Sequence, residues 1–447
     1  MTDTIRSTDA AVEALMAAES APGAAVAVVV GGEVVFERGY GLADLAAGRP
    51  VTPDTVFGIG SLGKSFTAVA IAQLVAEGRL AFNTSAVELL PELRLPEPFP
   101  TREITVEHLL SHTSGLPVLP VLEMSLGWRT GDDPMEGYDD LIRYLATMAE
   151  RPAGHPGERF SYSNDSYALL GTIVERLSGM SYAEYLESRV FAPLGMTRST
   201  LADPTSLGWE DVTSLYDYEV GQPAYRPDWP ASAIVAPAGL HRSTARDMAR
   251  YLIAHLGGFP GVPEDLREEL YRPRVWRDAE SGYALGWGVF PTFRGELALA
   301  HSGGITGVSS HAILLPGRRA GVIALLNVSG GPAREIAEAT LTEVLGLSPA
   351  TEPPAYDPTP AELARAAGRY RYGRDAVLVQ HDGDGLAMRV GDRPAVSLVP
   401  ARPGEFRATL DRRVVPVVFP GDESPAPLAL VMGRVSWRED EPETAAG

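Results

Sequence analysis

Residues 61–77, SLGKSFTAVAIAQLVAE, constrain the fold more than any other segment. Read as a helix, the run is apolar on nearly every side, so it belongs inside a domain rather than on a surface. Gly78 closes it. Its head is different. A loop, Phe57-Gly58-Ile59-Gly60, leads into Ser61, and Lys64 follows one turn later. Positions three apart share a helix face, so Lys64 can reach the Ser61 hydroxyl. The N-terminus of a helix also offers free N–H groups and a positive field to a developing oxyanion. Apolar turns around Lys64 lower its pKa and make it a proton acceptor. The alternative is a capping serine beside a snorkelling lysine.

The elements around this helix predict an α+β domain. Residues 8–20 have helical spacing, and Pro22-Gly23 stops them. Residues 24–30 and 33–38 are strands joined at Gly31-Gly32 as a hairpin. Helices recur at 138–149, 166–178, 182–189 and 244–256, the last with a capping box over 244–247. Strands return at 297–301, 308–315 and 321–327, before a helix at 333–345. The first two strands and the last three are expected to form one antiparallel sheet. Residues 348–360, SPATEPPAYDPTP, hold five prolines and suit a linker. Beyond it, strand-like runs at 376–380, 386–390, 395–399, 405–410, 414–419 and 428–437 predict a small all-β barrel. The expected division is a first domain over 1–347 and a barrel over 361–447. A chain of 447 residues fits two such cores.

Charge and composition exclude several functions. The net charge of -20 disfavours phosphate backbones and anionic lipid. There is no cysteine, which removes thiol nucleophiles, disulfides and thiolate metal sites. The apolar run at 24–30 is too short to span a bilayer. The first residues have no basic stretch followed by an apolar core, so the expected location is cytoplasmic.

Two further elements carry polar groups suited to chemistry. Tyr162-Ser163-Asn164 offers a phenol that can exchange a proton near an ammonium, and a carboxamide that can bind a carbonyl. Alone it reads equally as an aromatic turn with a capping asparagine. His301-Ser302-Gly303-Gly304 follows the apolar stretch 297–300, and its glycines would let a ligand backbone approach. Alone it reads as a glycine-rich hairpin.

Taken in order, these three elements resemble the motifs S-x-x-K, Y-x-N and H-x-G of the penicillin-binding and class C β-lactamase-like serine hydrolases. The flanking stretches 55–60, 108–116 and 283–287 are similar as well. The resemblance covers about residues 10–345, and the C-terminal part is similar to the lipocalin-like barrel appended to many such enzymes. It implies a β-lactamase/transpeptidase-like fold. Ser61 would be the nucleophile, with Lys64 and Tyr162 sharing the proton work and the choice of base left open. Asn164 and the His301–Gly304 segment would bind substrate, with an oxyanion between the N–H groups of Ser61 and Gly304. No cofactor or metal is implied.

Many β-lactamases have a lysine where His301 stands, so the resemblance favours small amides or peptides with D-residues. Simple esters come second and β-lactams third. A non-catalytic penicillin-recognising sensor is the rival of another class, and a homo-oligomer stays open. His301, with an ordinary pKa of about 6.5, is expected to gain charge as the pH falls through that value.

Three more expectations follow. His108 and His112 stand four apart, but a leucine follows His108 where a zinc protease would have glutamate, so both are assigned structural roles. Residues 117–135, with Met124, Leu126 and Trp128, are expected to roof the cleft. All three motifs precede the prolines, so the barrel is expected to supply no catalytic group.

Overall fold

The computed structural model describes residues 2–128, 135–219, 221–348, 355–372, 375–410, 412–419, 428–431 and 433–439. Its centre is a nine-stranded antiparallel sheet. Gly23–Val30 lies between Glu33–Asp44 and Ala320–Leu326, so the two ends of the domain meet in one sheet. Val308–Leu315 and Glu296–Ile305 follow outward, and then Gly288–Phe293. The Gly31-Gly32 turn has φ of 63° and 96°, which only glycine adopts without strain.

Gly23–Val30 is apolar on both sides because both faces of the sheet are covered. Ala24, Val26 and Val28 pack under the helices Thr2–Ala18 and Ala333–Leu345, with Val12, Met16 and Ile336. Ala25, Ala27 and Val29 face the larger core, built on the helices Gly63–Ala76, Asn164–Ser178 and Ala245–Gly257. Alternate side chains on a strand point to opposite faces, so one apolar run serves two cores. Helix Gly63–Ala76 is buried around its circumference from Gly63 to Leu74. A short 3₁₀ turn, Gly60–Leu62, starts it and carries Ser61.

Some expectations change. The strand expected at 297–301 runs from Glu296 to Ile305, so the His301 motif lies inside a strand and not after one. It pairs in register with the next strand, Gly303 opposite Ser310 and Gly304 opposite Ser309. The 244–247 capping box is half formed. Thr244 accepts from the Asp247 N–H, but the Asp247 carboxylate accepts from the Arg198 N–H and Ser199 instead.

After the helix Pro360–Ala366, residues 368–438 form a closed barrel of eight antiparallel strands in sequential order. Gly368–Tyr372, absent from the sequence reading, closes it against Arg434–Arg438. The expected run at 428–437 is two strands, Leu428–Val431 and Arg434–Arg438. The proline-rich stretch falls partly on 349–354, outside the described residues. Among the described residues, no helix is long and apolar enough to cross a membrane.

Candidate active site

The turn holding Ser61 is wedged between two backbones. A Cβ at Gly303 would lie 1.9 Å from the Ile59 carbonyl oxygen, and one at Gly60 would lie 2.4 Å from the Gly304 nitrogen. The third motif therefore packs directly on the residues leading to Ser61, at a distance only glycines permit. Gly60 has a φ of 53°, which turns the chain into the helix. Ser310 Oγ donates to the Ile59 carbonyl at 2.6 Å and ties the neighbouring strand to the same loop.

Lys64 is fully buried, and its Nζ lies 3.2 Å from Ser61 Oγ. It donates to Asn164 Oδ1 at 2.8 Å and to the Ala238 carbonyl at 2.6 Å. It also stands 4.7 Å from the centre of the Tyr162 ring. Burial holds its pKa well below the usual lysine value, with the Arg434 charge adding to the effect and Asp165 opposing it. Burial pushes the Tyr162 phenol up to about 12, with the neighbouring Ser61 hydroxyl and the Arg434 charge acting in the opposite direction. Ser61 and Asn164 thus share hydrogen bonds with the Lys64 amine, and the Tyr162 ring lies beside it, although the four are spread over more than a hundred residues of sequence.

Tyr162 and Asn164 are presented by the start of the helix Asn164–Ser178, where Ser163 Oγ accepts from the Ser166 N–H at 3.1 Å. Behind Tyr162 lies His112, fully buried, its ring centre 4.2 Å from that of Tyr162. Its Nδ1 accepts from the Ser163 N–H at 3.1 Å. His108 instead caps its own short helix, Val106–Leu110, taking the Thr105 N–H on Nδ1. His112 thus supports the Tyr162 motif from behind, a closer link to the site than its motif alone indicated.

His301 requires a correction. Its Nδ1 can only donate to the Ser302 carbonyl, 2.7 Å away, so Nε2 accepts from the Tyr283 hydroxyl at 2.9 Å. Burial, chiefly, lowers its pKa to about 3. The imidazole stays neutral, and the gain of charge near pH 6.5 does not occur. Tyr283 is a contributor missed in the sequence reading; it sits on a two-residue strand, Gly282–Tyr283, too short to show periodicity. The Ala238 carbonyl was also missed, because a backbone acceptor has no sequence signal.

The expected cleft roof is only partly visible. Val121 and Met124 are buried in the larger core, Trp128 is about half exposed, and residues 129–134 lie outside the described ones. The barrel also reaches the site through its backbone. The Gly433 carbonyl accepts from the Tyr162 N–H at 2.9 Å, so the C-terminal part touches the second motif directly.

A buried amine beside a serine at the head of an apolar helix, faced by a phenol and a carboxamide, is equipped for acyl transfer. Comparison with known proteins agrees. The β-lactamase family profile matches residues 8–346. The chain belongs to the β-lactamase and penicillin-binding protein family of serine hydrolases. It is 31% identical to penicillin-binding protein 4 of Amycolatopsis lactamdurans over 383 residues, covering 80% of this chain and 95% of the relative. Among solved structures it resembles the octameric penicillin-binding protein homologue from Pyrococcus abyssi, with 28% identity and a TM-score of 0.72, covering 97% and 99% of the two chains. SurE with D-Leu is similar at 25% identity and a TM-score of 0.73, covering 98% and 100%.

Proposed function

We propose that this chain hydrolyses small amides or peptides bearing D-residues through an acyl-enzyme on Ser61. The observation that carries the proposal is the position of the Lys64 amine, desolvated and 3.2 Å from the Ser61 hydroxyl. Ser61 Oγ attacks the substrate carbonyl carbon, and its proton passes to the Lys64–Tyr162 pair, which titrates as a unit. The oxyanion forms between the N–H groups of Ser61 and Gly304; donors of this kind are worth roughly 3–4 kcal/mol each. The tetrahedral intermediate collapses, the C–N bond breaks, and the leaving amine takes the proton back. Water then attacks the acyl-enzyme by the same route and frees the acid. Asn164 and the strand around Gly303 hold the substrate amide. D-Leu in the similar SurE structure favours the D-residue class.

Ser61→Ala is expected to abolish covalent labelling by a slow acylating ester and to reduce turnover by several orders of magnitude. Intact-protein mass spectrometry with peptide mapping reads the adduct. An adduct on Ser114 or Ser163 with Ser61 unmodified would discard the scheme. A chromogenic panel of D- and L-aminoacyl amides, esters and β-lactams then ranks the substrates. Acylation without turnover across the panel would favour the binding-protein reading.

A further inference from the structure

The hairpin formed by Leu428–Val431 and Arg434–Arg438 belongs to the barrel, yet it is fastened to the segment carrying the second motif. The Gly433 carbonyl takes the Tyr162 N–H, and the Val435 N–H reaches Ser161 Oγ at 3.4 Å. Trp437 Nε1 donates to the Pro152 carbonyl at 3.0 Å, and its ring lies 4.0 Å from the Arg151 guanidinium. A Cβ at position 433 would come within 2.9 Å of the Phe160 ring, so the hairpin tip and the motif loop are in close contact. At this tip Arg434, half-buried, holds its guanidinium carbon 5.5 Å from the centre of the Tyr162 ring.

We infer that Arg434 is a positioning residue of the hydrolase site, a cation that the barrel holds beside Tyr162. A positive charge there favours the phenolate of Tyr162 and the uncharged amine of Lys64. Both are proton-accepting forms, so the effect does not depend on which group is the base. Among the described residues, the groups around the Tyr162–Lys64 pair are His112, Asp165, Tyr167, Tyr283 and Arg434, with Glu123 near Asp165 and with His301 and Arg277 behind Tyr283. Burial keeps His112 and His301 neutral, and Arg277 stacks on the far aromatic rings of Phe160 and Tyr283. Among the described residues, Arg434 is thus the guanidinium that bears directly on Tyr162.

Arg434 matters in this way only if Ser61, Lys64 and Tyr162 act as proposed above. The test uses the full chain in three forms: wild type, Arg434→Gln and Arg434→Lys. The readouts are the pH profile of kcat/KM for a neutral nitrophenyl ester, and kcat/KM for a D-peptide with a free C-terminal carboxylate and for its amide. In Arg434→Gln the acid limb should move up by about one pH unit, and Arg434→Lys should return most of that shift. The ester, the acid and the amide should all lose activity at pH 7. An unmoved acid limb in Arg434→Gln overturns the inference. So does a loss confined to the substrate with a free carboxylate, which would make Arg434 a substrate contact instead. A wild type that forms no adduct at Ser61 refutes the proposed function and is told apart by mass spectrometry before any variant is compared.

Discussion

At the scale of single residues, His301 decides what the cleft wall can attract. A lysine there would offer a fixed charge. This imidazole offers none, because Tyr283 and the Ser302 carbonyl occupy both nitrogens and burial lowers its pKa to about 3. The preference for a free carboxylate over its amide should therefore stay flat as the pH falls from 7.5 to 5.5. The check is the ratio of kcat/KM for the two substrates across that range. A ratio that climbs through pH 6.5 would mean that the ring is exposed and charged in the working enzyme. Other residues explain why this arrangement was hard to read from sequence. Ser61, Lys64 and Asn164 announce themselves because their spacing repeats a known pattern. Tyr283 lies in a flanking stretch whose similarity gave it no role, and Arg434 has no such signal, for each acts through contacts that exist only after distant segments have packed.

At the scale of elements, the site is the seam between the turn before helix Gly63–Ala76 and the strand Glu296–Ile305. Gly303→Ala places a methyl group into the Ile59 carbonyl, so turn and strand must separate. The Gly304 N–H then leaves the Ser61 side, and kcat for the neutral ester should fall by about a hundredfold or more, the effect of removing one oxyanion donor. Circular dichroism should show an unchanged fold. Full activity in a folded Gly303→Ala protein would show that Gly304 plays no part. The helix at 61–77 was legible from its nearly continuous apolar run and the glycine that stops it. The strand holding His301 was not fully legible, because serine and two glycines resemble a turn. In the fold those glycines remain in the ladder, since only they let the strand touch the Ser61 loop. Most of the barrel's strands were legible from short runs set off by glycine- or proline-bearing turns, but nothing in 428–438 indicated that its hairpin would meet Tyr162.

At the scale of the whole molecule, burial of neutral histidines sets the response to acid. His241, His255, His301 and His311 each fall to about 3 through desolvation, and His112 falls well below its ordinary value for the same reason. Their folded pKa values lie below the unfolded value of 6.5, so the unfolded chain binds more protons between about pH 6.5 and 3. The stability they contribute is complete above pH 6.5 and is lost progressively below it. Asp165, raised by burial to about 7, and Asp247, raised for the same reason, work in the opposite direction, but they are two groups against six once His108, also lowered by burial, is included. Tm should drop by about 10 °C or more between pH 7 and pH 4.5, measured by calorimetry at constant ionic strength. A level Tm would mean that these histidines already protonate in the folded protein. The pairing of Gly23–Val30 with Ala320–Leu326 has another consequence, one of timing. The strand leaves the ribosome well before its partner, which follows only after nearly all the residues between them. At ordinary elongation rates the wait is on the order of tens of seconds. Throughout it, GAAVAVVV has no partner on that side and must be kept from other nascent chains. The hairpin carrying Arg434 lies further along the chain still, so its contact with Tyr162 forms after the sheet has closed.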